Sequence, residues 1–220
     1  MYSQEVMVLG ERWQTNCYLL TSLGANGQAQ TLIIDPGDEP ARLIKHLHDR
    51  GLTAVAAVAT HAHNDHIGAM NELHDQLGVA IMIHADDQEM AANPEISGFV
   101  EEPGNEEYAV TQWDRTLHEG DEISWGSDTL QVLHTPGHTR GAICLLDAAN
   151  EKLFTGDTLF AGAIGRTDFL QGDPSAMRAT CRRIGGLSPR LKVFPGHGSS
   201  TSLAQEFQHN PLLMQLAEMD

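Results

Sequence analysis

The densest group of side chains able to do chemistry lies between residues 60 and 66, which read Thr-His-Ala-His-Asn-Asp-His. Its candidate metal ligands are His61, His63, Asp65 and His66. Neutral imidazole nitrogens and anionic carboxylate oxygens are good ligands for zinc and similar divalent metals. The segment therefore predicts a metal site, and the alternative is a polar helix cap that happens to be rich in histidine.

Two metal ions need more donors than this segment offers if one position is to stay open for substrate. Three short turns supply them, with the sequences Thr-Pro-Gly-His, Thr-Gly-Asp-Thr and Pro-Gly-His-Gly. Each turn follows a run typical of a β-strand, and the glycine before the candidate ligand lets the backbone bend sharply at the strand end. Taken together, the turns predict that His138, Asp157 and His197 complete the metal site.

Strands and helices that alternate along the chain must hold these residues. The apolar run 54–60 predicts a strand buried on both faces, and the spacing of Ile67, Met70 and Leu73 predicts a helix directly after the first ligands. Further strands are expected at 5–9, 16–21, 31–35, 79–83, 122–124, 129–134, 142–147, 152–155 and 192–194. Further helices are expected at 40–50, 174–184, 202–209 and 211–218, with a surface loop at 93–111. The pattern favours one α/β or α+β domain over residues 1–220.

Composition and charge narrow the classes of partner. The chain has 220 residues and a formal net charge of −17, which repels phosphate backbones, so we expect no nucleic-acid partner. No stretch reaches the roughly 18 apolar residues of a membrane span, and residues 1–10 lack the pattern of a signal peptide. The three cysteines are far apart and odd in number, which favours buried thiols in a reducing compartment. These features predict a cytoplasmic protein without a membrane partner.

The order of the motifs, HxHxDH, then GHT, GDT and PGHG, resembles that of the metallo-β-lactamase superfamily. The resemblance runs from Asn16 through the IIDPG stretch to His197, and so covers nearly the whole chain. The stretches FTGDTLF and GRTDF are most similar to the glyoxalase II-like branch, in its short single-domain form. The resemblance implies an α+β fold, a four-layer αββα sandwich with two facing sheets, outer helices and metals at one edge.

The resemblance also implies a role for each candidate ligand. One metal ion would be held by His61, His63 and His138. A second would be held by Asp65, His66 and His197, and Asp157 would bridge the two. The expected cofactors are two divalent ions, with zinc, iron and manganese all compatible with these ligands. The implied reaction is hydrolysis of a small-molecule thioester such as S-D-lactoylglutathione by a hydroxide that bridges the metals, with Asp65 and Asp157 as the catalytic carboxylates.

Departures from the family leave the substrate open. Only 23 residues follow His197, and they include no Lys or Arg, whereas glyoxalase II carries a helical C-terminal region that binds glutathione. The GRTDF stretch is shared with persulfide dioxygenases, so a mono-iron oxidoreductase of the same fold is the alternative function. β-Lactamase activity is not expected, because such enzymes usually have a cysteine in the second site. The oligomeric state stays undetermined.

Two further residues have alternative interpretations. Arg166 lies after Asp157, where a guanidinium can bind a substrate carboxylate in a bidentate manner, and the alternative is a salt bridge with Asp168 or Asp173. Asp35 in the IIDPG stretch is predicted to cap a turn, with support of the metal ligands as its second interpretation.

Overall fold

Two mixed β-sheets packed face to face form the centre of the computed structural model, which describes residues 2–97 and 109–218. The first sheet has the order β1 to β6. Its strands are β1 (Ser3–Leu9), β2 (Thr15–Leu23), β3 (Ala29–Ile34), β4 (Ala54–Val58), β5 (Ala80–His84) and β6 (Arg115–Leu117). The pairs β1–β2 and β2–β3 are antiparallel, and the pairs from β3 to β6 are parallel.

The second sheet has the order β14-β13-β10-β9-β8-β7. Its strands are β7 (Glu122–Trp125), β8 (Asp128–His134), β9 (Ile143–Asp147), β10 (Lys152–Gly156), β13 (Lys192–Pro195) and β14 (Thr201–Ser202). Only β10 and β13 pair in parallel, and the other pairs are antiparallel. A small hairpin of β11 (Leu159–Phe160) and β12 (Ala163–Ile164) follows β10.

Apolar side chains on both faces of the strands create the layers. In β2, Tyr18 and Leu20 pack in the core between the sheets, whereas Cys17 and Leu19 pack against the helices outside the first sheet. Successive side chains of a strand point to opposite faces, so a strand covered on both sides needs apolar residues at every position. Phe154 of β10 lies fully buried in the core between the sheets.

Helices cover the outer face of each sheet. The first sheet carries α1 (Pro40–Arg50) and α3 (Met70–Leu77), and the second carries α5 (Pro174–Gly185), α6 (Leu203–His209) and α7 (Pro211–Glu218). Helix α1 buries Leu43 and Leu47 and ends at Gly51, whose φ of 62° is the left-handed geometry that glycine favours. The fold is therefore an α+β, four-layer αββα sandwich, as the resemblance implied.

Several expected elements differ in detail. The helix expected after His66 is divided into α2 (Asn64–Ile67) and α3, because the N–H of Ala69 donates to the carbonyl of Pro36, 2.9 Å away, outside the helix. Strand β4 ends at Val58, since the N–H of Thr60 binds the carboxylate of Asp35 instead of a neighbouring strand. The sequence did not predict α4 (Gln88–Ala92), β6, β14 or the β11–β12 hairpin, which are too short for a clear hydrophobic period.

The residues that the structure describes test the predictions about the cysteines and about membrane spans. All three cysteines are buried free thiols, as the sequence predicted. Within residues 2–97 and 109–218, none of the helices has the length and apolar character needed to cross a bilayer. Most of the loop expected at 93–111 lies outside the described residues, because positions 98–108 are not among them.

Candidate metal centre

The candidate ligands all follow the carboxyl ends of strands. His61 comes after β4, His138 after β8, Asp157 after β10 and His197 after β13. Strands β8 and β10 both run antiparallel to β9, and β13 runs parallel to β10, so their three carboxyl ends meet at one edge of the second sheet. A hydrogen bond of 2.8 Å from the N–H of Ile143 to the carbonyl of Thr60 brings the loop after β4 to the same edge.

Seven side chains converge at this edge in two groups. In the first group, Nδ1 of His63 lies 3.0 Å from Nε2 of His138, and the ring centroid of His61 lies 4.8 Å from that of each. In the second group, Nε2 of His197 lies 3.2 Å from a carboxylate oxygen of Asp65. It also lies 3.3 Å from Nε2 of the third member, His66. The structure thus brings together the residues of each ligand set that the resemblance implied, and His61 also lies near the second group, with its ring centroid 4.1 Å from that of His66.

Asp157 lies between the two groups. Its Oδ2 is 3.6 Å from Nε2 of His138 in the first group and 3.5 Å from Nε2 of His197 in the second. Its Oδ1 is 3.4 Å from Nε2 of His66. One carboxylate therefore faces donors of both groups, which is the geometry required of a bridging ligand.

The buried donors fit divalent metal ions. Nε2 of His61 is buried and makes no hydrogen bond with any residue that the structure describes. A buried polar atom without a partner costs about 1–3 kcal/mol, so such an atom needs an explanation. Because Nδ1 of His138 donates to the carbonyl of Arg166, its Nε2 carries a lone pair, and this atom lies 3.0 Å from Nδ1 of His63. A cation among these nitrogens would give Nε2 of His61 the partner that it lacks.

Contacts outside the centre set the orientation of the rings. Nδ1 of His138 donates to the carbonyl of Arg166 at 2.8 Å, and Nδ1 of His197 donates to the carbonyl of Trp13 at 2.9 Å. A carbonyl can only accept, so in both rings Nε2 is left to face the centre. Nδ1 of His66 lies 3.0 Å from Oδ2 of Asp35. Asp35 thus supports a candidate ligand, which is its second interpretation, and it also accepts hydrogen bonds from Thr60.

Without bound metal, the two groups differ in charge. Burial lowers the pKa of His197, but hydrogen bonds to Asp157 and Asp65 outweigh this effect and raise the pKa to about 11. Burial also lowers the pKa of His66, and the neighbouring carboxylates raise it to about 9. By contrast, burial and the nearby His138 lower the pKa of His63 to about 3. A metal ion in the second group must displace protons, so its affinity falls as the pH falls.

Two glycines allow the ligand loops to approach each other. A Cβ atom on Gly196 would lie 2.4 Å from Oδ1 of Asp157 and 2.6 Å from Cε1 of His66. A Cβ atom on Gly37 would lie 1.6 Å from the carbonyl oxygen of Asp65. These distances are shorter than real Cβ contacts, so glycine is needed at both positions for close packing around the centre.

Asp87 is a structural member of the site that sequence analysis missed. It is buried, and its Oδ2 accepts hydrogen bonds from the N–H of Ala62 at 3.0 Å and the hydroxyl of Thr139 at 2.7 Å. Its Oδ1 accepts from the N–H of Gly141 at 2.6 Å. This carboxylate thus joins the loop of His61 to the loop after β8. Its position after β5, a parallel neighbour of β4, was the signal that could have revealed it.

A cavity of about 510 Å³ opens over the centre. The described residues lining it are Trp13, His63, Asp65, His138, Asp157, Phe160, Ala163, Ile164, Arg166, Phe169 and His197. The guanidinium of Arg166 makes a bidentate salt bridge with Asp168, at 2.9 and 2.8 Å, and its side chain is 66% exposed. The salt bridge with Asp168 is therefore formed, and the same side chain still lines the cavity.

A further group of three potential ligands lies apart from the seven. The rings of His84 and His134 stack with centroids 4.1 Å apart, beside Asp86. Nε2 of His134 donates to the carbonyl of Arg140 at 2.8 Å, and Nδ1 of His84 accepts from the N–H of Asp86 at 3.3 Å. The nitrogens nearest to Asp86 already have hydrogen-bond partners, so this group is not part of the candidate centre.

Histidine and aspartate groups at one edge of an αββα sandwich define a class of metal-dependent proteins whose members are mostly hydrolytic enzymes. The chain belongs to this class through its family, because the model of the metallo-β-lactamase superfamily matches residues 10–197. Among relatives, the hydroxyacylglutathione hydrolase GloC of Haemophilus influenzae is 32% identical over 204 residues, which cover 91% of this chain and 93% of that protein.

Solved structures share the fold over nearly the whole chain. The B3 metallo-β-lactamase BLEG-1 has a TM-score of 0.86 and 33% identity, covering 96% of this chain and 99% of its own. TTHA1623, solved in a di-iron-bound form, has a TM-score of 0.79 and 33% identity, covering 94% and 99%. ETHE1 from Myxococcus xanthus has a TM-score of 0.73 and 27% identity, covering 100% and 86%. The chain is thus similar to proteins whose names indicate different activities.

Proposed function

We propose that this chain is a dinuclear metal-dependent hydrolase that acts on thioesters, with S-D-lactoylglutathione among its substrates. The observation that carries the proposal is the convergence of seven donor side chains in two groups, with Asp157 facing both. The similarity to GloC, a protein named as a hydroxyacylglutathione hydrolase, supports the substrate class. The match extends over nine tenths of both chains.

The proposed ligand sets follow the two groups of donors. The first metal ion would be held by His61, His63 and His138. The second would be held by Asp65, His66 and His197, and Asp157 would serve both. Imidazole and carboxylate donors accept zinc, iron and manganese, and the di-iron form of TTHA1623 makes iron a candidate beside zinc.

Divalent metal, when bound by these residues, would supply a water of pKa near 7 and a Lewis acid for the substrate carbonyl. The chain's own groups hold and orient the reacting centre. The Thr15 hydroxyl donates to Oδ2 of Asp65 at 3.0 Å, which fixes this carboxylate at the floor of the cavity, where it can accept a proton from the attacking water. A thiolate leaves without protonation, so the site needs no separate general acid.

The first test is metal content. Metal-replete protein is expected to contain two divalent ions per chain by elemental analysis, because each group offers three donors and Asp157 serves both. His134→Ala is the control, since His134 belongs to the separate group beside Asp86 and its loss should leave the count at two. One ion per chain in metal-replete native protein would contradict the dinuclear proposal. A lower count in His134→Ala than in native protein would indicate that one ion binds at the separate group.

The second test concerns Arg166. We expect Arg166→Ala to raise KM for S-D-lactoylglutathione by about three- to tenfold with little change in kcat, because an exposed guanidinium contributes binding that ground state and transition state share. Arg166→Lys should restore only part of it, since an ammonium lacks the planar fork. Arg190→Ala removes another exposed, salt-bridged arginine, which lies before β13, and should leave both constants unchanged. Unchanged kinetics in Arg166→Ala would remove this residue from the substrate site.

A second candidate function is the mono-iron persulfide dioxygenase, which the GRTDF stretch favours and with which the similarity to ETHE1 is compatible. The two functions differ in metal count and in the use of oxygen. Protein loaded with iron should therefore be supplied with glutathione persulfide in an oxygen electrode, beside parallel assays with thioesters and a chromogenic β-lactam. Oxygen uptake without thioester hydrolysis would replace the proposed function, and hydrolysis of the β-lactam alone would align the chain with BLEG-1.

A further inference from the structure

The walls of the cavity over the metal centre are mainly apolar. Five of the described residues that line it are Trp13, Phe160, Ala163, Ile164 and Phe169. The others are candidate metal ligands and Arg166. The chemistry at the floor of the cavity is therefore polar, whereas the surface available to the rest of a substrate is hydrocarbon.

Aromatic rings border both halves of the centre. The ring of Phe169 lies edge-on to His63 and His138 of the first group, with centroids 5.2 and 5.8 Å away. On the other half, the carbonyl of Trp13 accepts the hydrogen bond of His197, and its side chain lines the cavity. Trp13 and Phe169 line the same cavity as the candidate ligands and are 41% and 36% exposed, so a substrate in the cavity can bury apolar surface against them.

Two guanidinium groups near the cavity lie over aromatic rings. Arg166 is bound to Asp168, and its Cζ lies 4.5 Å from the ring of Phe169. Arg12 lies with its Cζ 4.7 Å from the ring of Trp13. Both guanidinium groups are therefore held over aromatic rings at the borders of the cavity. A substrate in the cavity gains apolar contact with the walls. A hydroxyl on its acyl group would be transferred from water to this apolar surface, which costs free energy.

We infer that this site selects thioesters by the apolar surface of the acyl group, so that unbranched acyl chains of about three to six carbons are preferred over the hydroxylated lactoyl group. The inference rests on the proposed thioester hydrolysis. A short acyl chain is small enough to fit inside a cavity of about 510 Å³ and to contact its apolar lining next to the metal ligands. Trp13 and Phe169 are the specificity-determining residues.

The first experiment keeps the thiol constant and varies the acyl group. S-propionylglutathione differs from S-D-lactoylglutathione only by the missing hydroxyl, and its kcat/KM should equal or exceed that of the lactoyl compound. From propionyl to hexanoyl, each added methylene should raise kcat/KM by about two- to fourfold, as expected for burial of one methylene group. A lactoyl value above the propionyl value, or a decline along the series, would overturn the inference.

Variants identify the residues responsible. Trp13→Ala and Phe169→Ala should each flatten the dependence on chain length, and Phe169→Leu should retain most of it because leucine keeps apolar surface. Leu170→Ala is the matched control, since Leu170 is the neighbour of Phe169, is 75% exposed and does not line the cavity. A chain-length dependence that both alanine variants keep would show that other residues determine it.

A binding measurement separates this inference from the proposed function. Isothermal titration of hexanoate and lactate into both metal-free and metal-loaded protein measures the apolar preference without turnover. Hexanoate should bind at least about tenfold more tightly than lactate to the native chain, and this difference should shrink in Phe169→Ala. If no thioester is hydrolysed but this preference is found, only the proposed function fails. If thioesters are hydrolysed and the two acids bind equally, the inference about acyl groups fails.

Discussion

Replacement of Asp157 by alanine is expected to lower thioester turnover by more than about 100-fold. Loss of a residue that merely orients a metal ligand costs about 10- to 100-fold, and Asp157 is proposed to contact both ions directly. Its oxygens face His138 on one side and His66 and His197 on the other, so its removal leaves imidazoles of both groups without their shared anion. Both metal ions should therefore bind more weakly.

The experiment needs three readouts. Turnover, metal content after dialysis and thermal unfolding should be measured for native protein, Asp157→Ala and Asp157→Asn. Asparagine keeps the shape but lacks the charge, so it should recover little activity. The fold should survive in both variants, since this side chain lies at the edge of the sandwich. Full activity in Asp157→Ala would refute the bridging role, and selective loss of one ion with the other bound normally would assign Asp157 to a single metal.

The second large effect is expected for Asp87→Asn. Whichever way the amide is turned, one carboxylate oxygen becomes an NH₂ group that meets an N–H or O–H donor instead of accepting from it. Loss of such a buried hydrogen bond, with a donor left unpaired, should cost about 2–4 kcal/mol of unfolding free energy. Because Asp87 joins the loop of His61 to that of His138, the first metal group should also lose affinity.

Chemical denaturation and metal titration distinguish these effects. Asp86→Asn is the matched control. The Asp86 side chain is next to Asp87 in sequence, is 56% exposed and makes none of the three hydrogen bonds that Asp87 makes. It should change neither stability nor metal binding. If Asp87→Asn lowers stability but leaves both metal affinities intact, Asp87 supports the fold without positioning the ligands. If it changes neither quantity, the hydrogen bonds at Asp87 contribute nothing measurable.

The sequence by itself determined which residues could form a metal site and which elements would carry them. The ligand types His61, His63, Asp65 and His66 lie within one short segment, so their proximity depends only on local backbone. The strands before the remaining ligands could be predicted from the sequence because strands buried on both faces are apolar throughout. The helix at 40–50 was predicted with its observed bounds, since its apolar spacing and its terminal glycine agree.

Only the tertiary structure decided which side chains surround that site. The contact of Asp87 with Gly141 spans 54 positions, and that of Trp13 with His197 spans 184, so no local pattern marks either pair. Whether Arg166 pairs with Asp168 or stays open to substrate depends on the path of its loop. The apolar wall of the cavity likewise arises from where the β11–β12 hairpin and Phe169 pack. Ligand motifs are local in sequence, whereas orientation and specificity depend on contacts that exist only after the two sheets have packed together.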